Sequence, residues 1–241
     1  MNASDRLIVA LDLPGIDEAR RLVDELDGLA GFYKVGLTLQ LARGVEDFIH
    51  SLLAQGKKVF LDYKYYDVPE TVRKAVSRAA RLGVSFLTIH GSSPIIRGAV
   101  EGRGDSGLKL FTVTVLTSMD AGDIAELGYT RHTVEELVLF RARKALEAGC
   151  DGVIASPHEA AAIKELSRGK LLVITPGIRP GGYRQDDQKR RATAAGAILA
   201  GADYLVIGRP ITEAADRAGE ARRFVDEIQS AFDRRQLRWT P

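Results

Sequence analysis

Residues 58–82 read KVFLDYKYYDVPETVRKAVSRAARL, and this stretch decides the fold. It opens with a short apolar run, Lys58–Leu61, that ends in polar side chains. A longer stretch, Pro69–Leu82, then carries its apolar residues at helical spacing. Gly83 follows directly, and a glycine at that place ends a helix in the left-handed conformation at little cost. The stretch therefore predicts a buried strand followed by an amphipathic helix.

The same unit recurs along the chain. Eight apolar runs alternate with amphipathic stretches, which indicates parallel strands joined by crossover helices. The predicted strands are Leu7–Leu11, Phe32–Val35, Lys58–Leu61, Phe86–Ile89, Lys109–Leu116, Gly152–Ala155, Leu171–Thr175 and Tyr204–Ile207. The predicted helices are Asp17–Leu29, Val45–Gln55, Pro69–Leu82, Ile95–Gly102, Val134–Ala148, Pro157–Leu166, Gln188–Ala200 and Thr212–Asp233.

Eight such units in 241 residues suit an α/β fold of the (β/α)8 TIM-barrel type. No linker divides the chain, so we predict a single domain over residues 1–241. An open doubly wound sheet is the alternative. The count of eight and the polar residues that end nearly every strand favour the closed barrel.

The charge and the amino-acid composition of the chain argue against several classes of function. The net charge is +2, with 34 basic and 32 acidic side chains spread along the chain, so no basic block predicts nucleic-acid binding. The apolar run Leu7–Leu11 is too short for a signal peptide or a membrane span, and we expect a cytoplasmic protein without a membrane partner. The lone thiol, Cys150, is expected to be a core residue.

Charged side chains follow the first three predicted strands. In a closed barrel the site lies at the carboxyl ends of the strands, where Asp12, Lys34, Asp62 and Lys64 are expected, with Asp67 as a third carboxylate. Asp62 and Lys64 are two residues apart, and an extended backbone would send both to one face with Cα atoms about 6.6 Å apart. A solvated rim of charges is the alternative interpretation. Because desolvating several charges together is costly, the joint pattern favours a functional site.

A second signal lies after the last two strands. Pro176–Gly182 is rich in glycine and follows the seventh strand, and Gly208 and Arg209 follow the eighth. Barrels bind phosphate where these two loops meet, through backbone amides and forked arginine donors. The sequence therefore predicts a phosphorylated ligand. It has no nucleophile elbow, Walker sequence or dinucleotide fingerprint.

Histidines give weaker signals. His50, His132 and His158 lie on or near predicted helices without partners at metal-ligand spacing, and surface or capping roles are expected. His90 ends the fourth strand, and a packed, hydrogen-bonded histidine is the favoured interpretation.

These motifs resemble the orotidine 5'-phosphate decarboxylase family over essentially the whole chain. The segments that carry the resemblance are Val9–Asp12, Tyr33–Gly36, Phe60–Val72, Val113–Met119, Thr175–Pro180, Asp187–Arg190 and Ile207–Ile211. The pattern Asp-x-Lys-x-x-Asp at Asp62, Lys64 and Asp67 is highly specific in this setting. Two positions differ from the residues that are most common in this family: Tyr66 stands in place of histidine and Glu70 in place of asparagine. Neither belongs to the charge network, so both are expected to affect only the shape of the subunit interface.

The resemblance implies a lyase that converts orotidine 5'-phosphate to UMP in pyrimidine biosynthesis, without metal or cofactor. Lys64 would be the proton donor, held in an alternating network with Lys34, Asp62 and Asp67. The resemblance also implies a homodimer, in which Asp67 and Thr71 enter the site of the partner subunit. The implied substrate-binding residues are Asp12 and Lys34 for the ribose, Thr117 with Ser118 for the pyrimidine edge, and Arg179, Gln188, Gly208 and Arg209 for the phosphate.

Two rival functions remain open. Magnesium-dependent sugar-phosphate decarboxylases or aldolases of the same superfamily share the Asp-x-Lys-x-x-Asp pattern but place an acidic residue at the second strand, where this chain has Lys34. A non-catalytic phosphate sensor would need Gly208 and Arg209 but not the costly charge array. Lys34 argues against the first rival, and the array argues against the second.

Overall fold

The computed structural model describes residues 3–183 and 187–237. Within these ranges eight parallel strands form a closed barrel in chain order, with β1 pairing to both β2 and β8. The strands are β1 Leu7–Ala10, β2 Phe32–Gly36, β3 Lys58–Tyr65, β4 Phe86–Ile89, β5 Lys109–Val113, β6 Gly152–Ile154, β7 Leu172–Thr175 and β8 Tyr204–Ile207. The predicted single-domain (β/α)8 barrel is confirmed. The ends of the predicted 1–241 span lie outside the described residues.

Helices cover the outside of the barrel. They are α1 Ile16–Glu25, α2 Leu37–Gln40, α3 Val45–Ala54, α4 Pro69–Leu82, α5 Ser93–Arg103, α6 Ala121–Glu126, α7 Val134–Glu147, α8 Ala160–Leu166, α9 Ala194–Leu199, α10 Arg209–Thr212 and α11 Arg217–Leu237. Three short helices, α2, α6 and α10, were not predicted. None of the helices in the described part of the chain is long and apolar enough to cross a membrane.

Two predicted helices are wrong in extent. The helix expected over Gln188–Ala200 begins only at Ala194, because the Thr193 hydroxyl accepts a hydrogen bond from the backbone N–H of Gly196 and caps the helix there. The helix expected over Thr212–Asp233 begins only at Arg217, and the short α10 ends where the prediction began. The Asp216 carboxylate accepts from the backbone N–H of Gly219 at 2.8 Å, which favours a new helix start at α11.

Two predicted strands also differ in length. β5 ends at Val113 rather than Leu116, and β3 continues to Tyr65 rather than ending at Leu61. The extension of β3 is irregular: Leu61 pairs with Leu87 and Tyr65 pairs with Ile89, so three residues of β3 face one residue of β4. This bulge contains Asp62 and Lys64, and it therefore shapes the carboxyl end of the barrel.

The lower interior of the barrel is filled by an aromatic floor, composed of Phe32, Phe60, Phe86, Phe111 and Tyr204. Its rings are in contact, with centroids 4.6 Å apart for Phe86 and Phe111 and 5.1 Å apart for Phe86 and Tyr204. Because side chains alternate along a strand, the next inward positions are two residues further on. On β2, β3 and β4 those positions hold Lys34, Asp62 and Thr88. A polar layer thus lies directly above the aromatic one.

Candidate active site

A cavity of about 560 Å³ opens at the carboxyl ends of the strands. Its walls come from β1, β2, β3, β5, β6 and β8 and from the loops after β5, β7 and β8. The residues predicted for the site that line it are Asp12, Lys34, Asp62, Lys64, Thr117, Ser118, Arg179, Gln188, Gly208 and Arg209. Residues from widely separated parts of the chain therefore meet where a barrel fold places its site.

Lys34 lies between two carboxylates. Its Nζ donates to Asp12 Oδ1 at 2.9 Å and approaches Asp62 Oδ2 at 3.4 Å. The Lys34 and Asp62 side chains are only 8% and 18% exposed, so their ion pair is largely shielded from solvent, whereas Asp12 is half-exposed. Gly36 leaves the required space, because a Cβ at that position would lie 2.7 Å from both Asp12 Oδ1 and Lys34 Nζ.

Lys64 lies on the other side of Asp62. Its Nζ donates to Asp62 Oδ1 at 2.8 Å, so the two side chains share a face as predicted. The expectation of an extended backbone is wrong at Lys64, whose φ is +49°. A left-handed lysine is uncommon and costs on the order of 1 kcal/mol or more, so the surrounding contacts must hold it.

The ionisation of Asp62 depends on its neighbours. Burial alone would raise the pKa of this carboxyl, but Lys34 and Lys64, with the Thr88 hydroxyl, hold the pKa below its usual range. Asp62 is therefore an anion at neutral pH, paired with two ammonium groups. The result is an alternating array of Asp12, Lys34, Asp62 and Lys64 beside the cavity.

Asp67 and Thr71 lie apart from this array within the chain. Both are exposed, neither lines the cavity, and Asp67 Oδ1 accepts from the backbone N–H of Val68 at 2.6 Å. The expectation that Asp67 adds a third carboxylate to the mouth of its own barrel is therefore wrong, because the chain turns outward after β3. Tyr66 and Val68 on either side of it are 67% and 62% exposed. The implied role of Asp67 and Thr71 in a partner's site stays a prediction.

The part of the cavity wall formed by the loops after β7 and β8 carries cations and glycine. Arg179 is 7% exposed, and Gly208 and Arg209 line the wall beside it. Arg209 forms an ion pair with Asp187. Gly177 has φ of +76°, a conformation that suits glycine, and it lies against Gln188. An anionic ligand group bound here would be held by arginine donors and backbone amides.

The loop after β7 is anchored across the mouth of the barrel. The Thr117 hydroxyl donates to Gln188 Oε1 at 2.6 Å, and Arg190 donates to the carbonyl oxygen of Leu116 at 3.0 Å. Arg190 also pairs at 2.5 Å with Glu159, whose side chain is 6% exposed. The predicted pyrimidine-edge and phosphate residues are thus connected to each other through this loop.

Two residues that the sequence assigned to packing are confirmed in that role. Cys150 is buried, and burial raises the pKa of its thiol to about 12. His90 Nδ1 lies 3.3 Å from the carbonyl oxygen of Val113, and its ring packs against Tyr66 at 5.6 Å. Burial, with nearby Arg141, lowers the pKa of His90 and favours the neutral ring.

Sequence reasoning missed Thr88, Asp187 and the Arg190–Glu159 pair. Thr88 is fully buried, and its hydroxyl lies 3.0 Å from Asp62 Oδ1. The two-residue alternation would have found it, because Thr88 follows Phe86 as Lys34 follows Phe32. No comparable periodic signal identifies Asp187, which lies in an irregular segment, or Glu159, which ends a 3₁₀ turn before α8.

Fold and cavity together define a class: barrel enzymes whose site joins a buried lysine–aspartate array to an arginine-lined anion pocket. Residues 5–224 match the model of the orotidine 5'-phosphate decarboxylase / HUMPS family. The chain belongs to this family.

Relatives are similar over nearly their full length. The orotidine 5'-phosphate decarboxylase of Nitrobacter winogradskyi is 53% identical over 230 residues, which cover 95% of each chain. That of Rhodopseudomonas palustris is 48% identical over 96% of this chain and 97% of its own. The crystal structure of orotidine 5'-phosphate decarboxylase from Lactobacillus acidophilus superposes with a TM-score of 0.81 at 35% identity, covering 93% of this chain and 99% of that one.

Proposed function

We propose that this protein decarboxylates orotidine 5'-phosphate to UMP in pyrimidine biosynthesis, with Lys64 as the proton donor. One observation carries the proposal: the alternating array of Asp12, Lys34, Asp62 and Lys64 opens into the same cavity as Arg179 and Arg209. A nucleotide phosphate at the arginine end would place its base towards the lysine end. Family membership and the named relatives support the same reaction.

The decarboxylation requires the protein to stabilise a carbanion directly. Loss of carbon dioxide leaves an electron pair on C6 in the plane of the pyrimidine, where the ring cannot delocalise it. A protonated Lys64 supplies both a positive charge beside this carbanion and the proton that ends the reaction. Asp62 holds the Lys64 ammonium at 2.8 Å, so the charge is in position before the substrate arrives.

Repulsion between Asp62 and the substrate carboxylate is an incomplete explanation of the rate. Two unit charges 4 Å apart interact by about 4 kcal/mol at an effective dielectric constant of about 20. That energy corresponds to roughly three powers of ten, whereas enzymes commonly accelerate reactions by ~10⁶-fold or more. The remainder is assigned to preorganised charge and to binding energy from the phosphate, which lies far from the reacting carbon.

The substrate-binding roles follow the resemblance. Asp12 and Lys34 would bind the ribose hydroxyls, and Thr117 with Ser118 the pyrimidine edge. Arg179, Gln188, Gly208 and Arg209 would bind the phosphate. Their common place on the cavity wall supports this assignment. In this arrangement Arg209 would exchange its contact with Asp187 for the phosphate.

We further propose a homodimer with shared sites. Asp67, on the exposed segment that follows β3, and Thr71, in the first turn of α4, both lie outside the cavity of their own chain. Tyr66 and Val68 expose apolar surface on the same segment, which suits contact with a second copy. Asp67 of one subunit would then complete the array of the other.

A magnesium-dependent sugar-phosphate reaction is disfavoured by Lys34. Its ammonium lies between Asp12 and Asp62, so it occupies the position between carboxylates where a divalent cation would bind.

The direct test is the loss of orotidylate absorbance on adding purified protein in the presence of EDTA. Turnover is expected, and Lys64→Ala protein purified in parallel serves as the control without activity. Turnover that appears only after magnesium is added would favour the alternative. No turnover under either condition would contradict the proposed reaction.

The dimer is tested by mixing two inactive variants, Lys64→Ala and Asp67→Ala. If the sites are shared, mixed dimers contain one site with both native residues, so activity returns. Lys64→Ala mixed with Asp62→Ala is the matched control. Lys64 and Asp62 both serve the site of their own chain, so each site of a mixed dimer lacks one of them and no activity should return. Failure of the first mixture to recover activity, although subunits exchange, would argue against shared sites. The cytoplasmic location and the absence of nucleic-acid and membrane partners stay predictions.

A further inference from the structure

Thr88 is the fully buried hydroxyl at the edge of the charge array. It lies on β4, two residues after Phe86 of the aromatic floor, and so points into the barrel at the level of Asp62. A buried hydroxyl without a partner would destabilise the fold, so its contacts have to be accounted for.

The Thr88 hydroxyl contacts both Asp62 and Lys64. Its Oγ1 accepts a hydrogen bond from the backbone N–H of Lys64 at 2.9 Å and lies 3.0 Å from Asp62 Oδ1. A hydroxyl has one proton to donate, and the other acceptor within reach, the carbonyl oxygen of Leu61, is further away at 3.5 Å. The proton is therefore directed at Asp62.

This contact selects which carboxylate oxygen faces which lysine. Asp62 Oδ1 receives both the Thr88 hydroxyl and Lys64 Nζ, whereas Oδ2 faces Lys34 at 3.4 Å. Two donors on Oδ1 fix the rotation of the carboxylate, and the rotation fixes where the Lys64 ammonium lies.

The backbone of Lys64 depends on the same hydroxyl. Between the pairs Leu61–Leu87 and Tyr65–Ile89, Thr88 alone faces the bulge of Asp62, Tyr63 and Lys64. Lys64 is left-handed at this point, and its N–H reaches the Thr88 side chain instead of a backbone carbonyl of β4. One side chain thus holds the bulge from which the Lys64 side chain starts.

We infer that Thr88 is the positioning residue for proton donation: it sets the place of the Lys64 ammonium by holding both the Lys64 backbone and the Asp62 carboxylate. Thr88 does not line the cavity and would not contact substrate. The expected effect of Thr88 on turnover rests on the proposed decarboxylation. The expected effect of Thr88 on the position of the Lys64 ammonium does not depend on that function.

The kinetic test uses two pairs of variants. Thr88→Val keeps the shape and removes the hydroxyl, whereas Thr88→Ser keeps the hydroxyl and removes the methyl group. Thr88→Val is expected to lower kcat about 10- to 100-fold with little change in KM, because misplacing a catalytic group by about 1 Å has effects of that size. Thr88→Ser should retain most of the activity. If Thr88→Val does not fold, Thr88→Ala takes its place, since Ala and Ser differ only by the oxygen.

A packing role predicts the opposite order, with Val active and Ser impaired. Native kcat in Thr88→Val, or equal loss in Ser and Ala, would overturn the inference. Crystal structures of the native protein and Thr88→Val provide the second measurement: the distance from Lys64 Nζ to Asp62 Oδ1 should lengthen in the variant, and an unchanged contact would overturn the inference. Absence of turnover in the native protein would contradict the proposed function alone, and the structural comparison would still decide the role of Thr88.

Discussion

The inside of the barrel has two layers of opposite character. The aromatic floor consists of rings in mutual contact, and it stabilises the fold by burying apolar surface. Two residues further along β2, β3 and β4, Lys34, Asp62 and Thr88 form a layer of charge and hydrogen bonds. Burying those charges costs stability, so the upper layer is explained by chemistry rather than by folding. Substitutions in the two layers should therefore separate activity from stability.

The largest effect is expected for Lys64→Met in the upper layer. Loss of a general acid typically lowers the rate by about 10²–10⁴-fold, and the lost ammonium charge adds to this, so kcat/KM should fall by at least that factor. Stability should change little, because Asp62 keeps its contact with Lys34. The measurements are orotidylate turnover and thermal unfolding of the same preparation. Activity within tenfold of the native protein would show that Lys64 is not the proton donor.

The second prediction concerns the aromatic floor, where a substitution should lower stability much more than activity. Phe86 packs against Phe32, Phe111 and Tyr204, and Phe86→Ala should lower the free energy of unfolding by about 3–5 kcal/mol. At a temperature where the variant stays folded, kcat/KM should fall far less than in Lys64→Met. Phe86→Leu is the matched control and should destabilise less, since it leaves a smaller cavity. Denaturant unfolding with parallel kinetics provides the check, and a Phe86→Ala protein that is stable but inactive would contradict the division into layers.

The third prediction concerns the far end of the cavity. Arg209→Ala should lower kcat/KM by roughly 10- to 150-fold, because a charged hydrogen bond contributes about 1.5–3 kcal/mol. Arg209 follows β8, whereas the lysines of the array lie on β2 and β3. An effect on kcat as well as on KM would therefore indicate that phosphate binding energy is used in the chemical step. Arg222→Ala, a change on the exposed face of α11, is a control for charge alone. An unchanged kcat/KM in Arg209→Ala would rule out a phosphate role.

The two layers also differ in how far the sequence predicts them. The strand pattern follows from two-residue alternation, so the barrel, the charged strand ends and the arginine-lined pocket are predictable. The bulge at Asp62–Lys64 breaks that alternation, and the left-handed Lys64 is held by Thr88 on another strand. The loop at 187–193 is likewise fixed by a long-range pair, Arg190 with Glu159, which no local pattern records. The bulge and this loop could not be predicted, because their conformations are determined by contacts between distant segments rather than by local secondary-structure propensity.

The smallest expected effect is the dependence of stability on pH through Asp62. The pKa of this carboxyl is held below its usual range although burial opposes ionisation, because Lys34 and Lys64 favour the anion. A lowered pKa in the folded state means that ionised Asp62 stabilises the fold above the unfolded pKa of about 4, and that this contribution is lost as the pH falls through the folded value. The difference in Tm between the native protein and Asp62→Asn should therefore be largest near pH 7 and shrink below about pH 4.

Thermal unfolding measured from pH 7 to pH 3 provides the test. For a chain of this size a change of about 1 kcal/mol in the free energy of unfolding moves Tm by about 2–4 °C, so the trend is measurable. Asp226→Asn, on the exposed face of α11, is the matched control and should differ from the native protein by only a small amount. If the Asp62 difference grew as the pH fell, the folded protein would favour the protonated carboxyl. The upper layer would then be a neutral hydrogen-bonded cluster, and its contrast with the aromatic floor would rest on polarity alone rather than on charge.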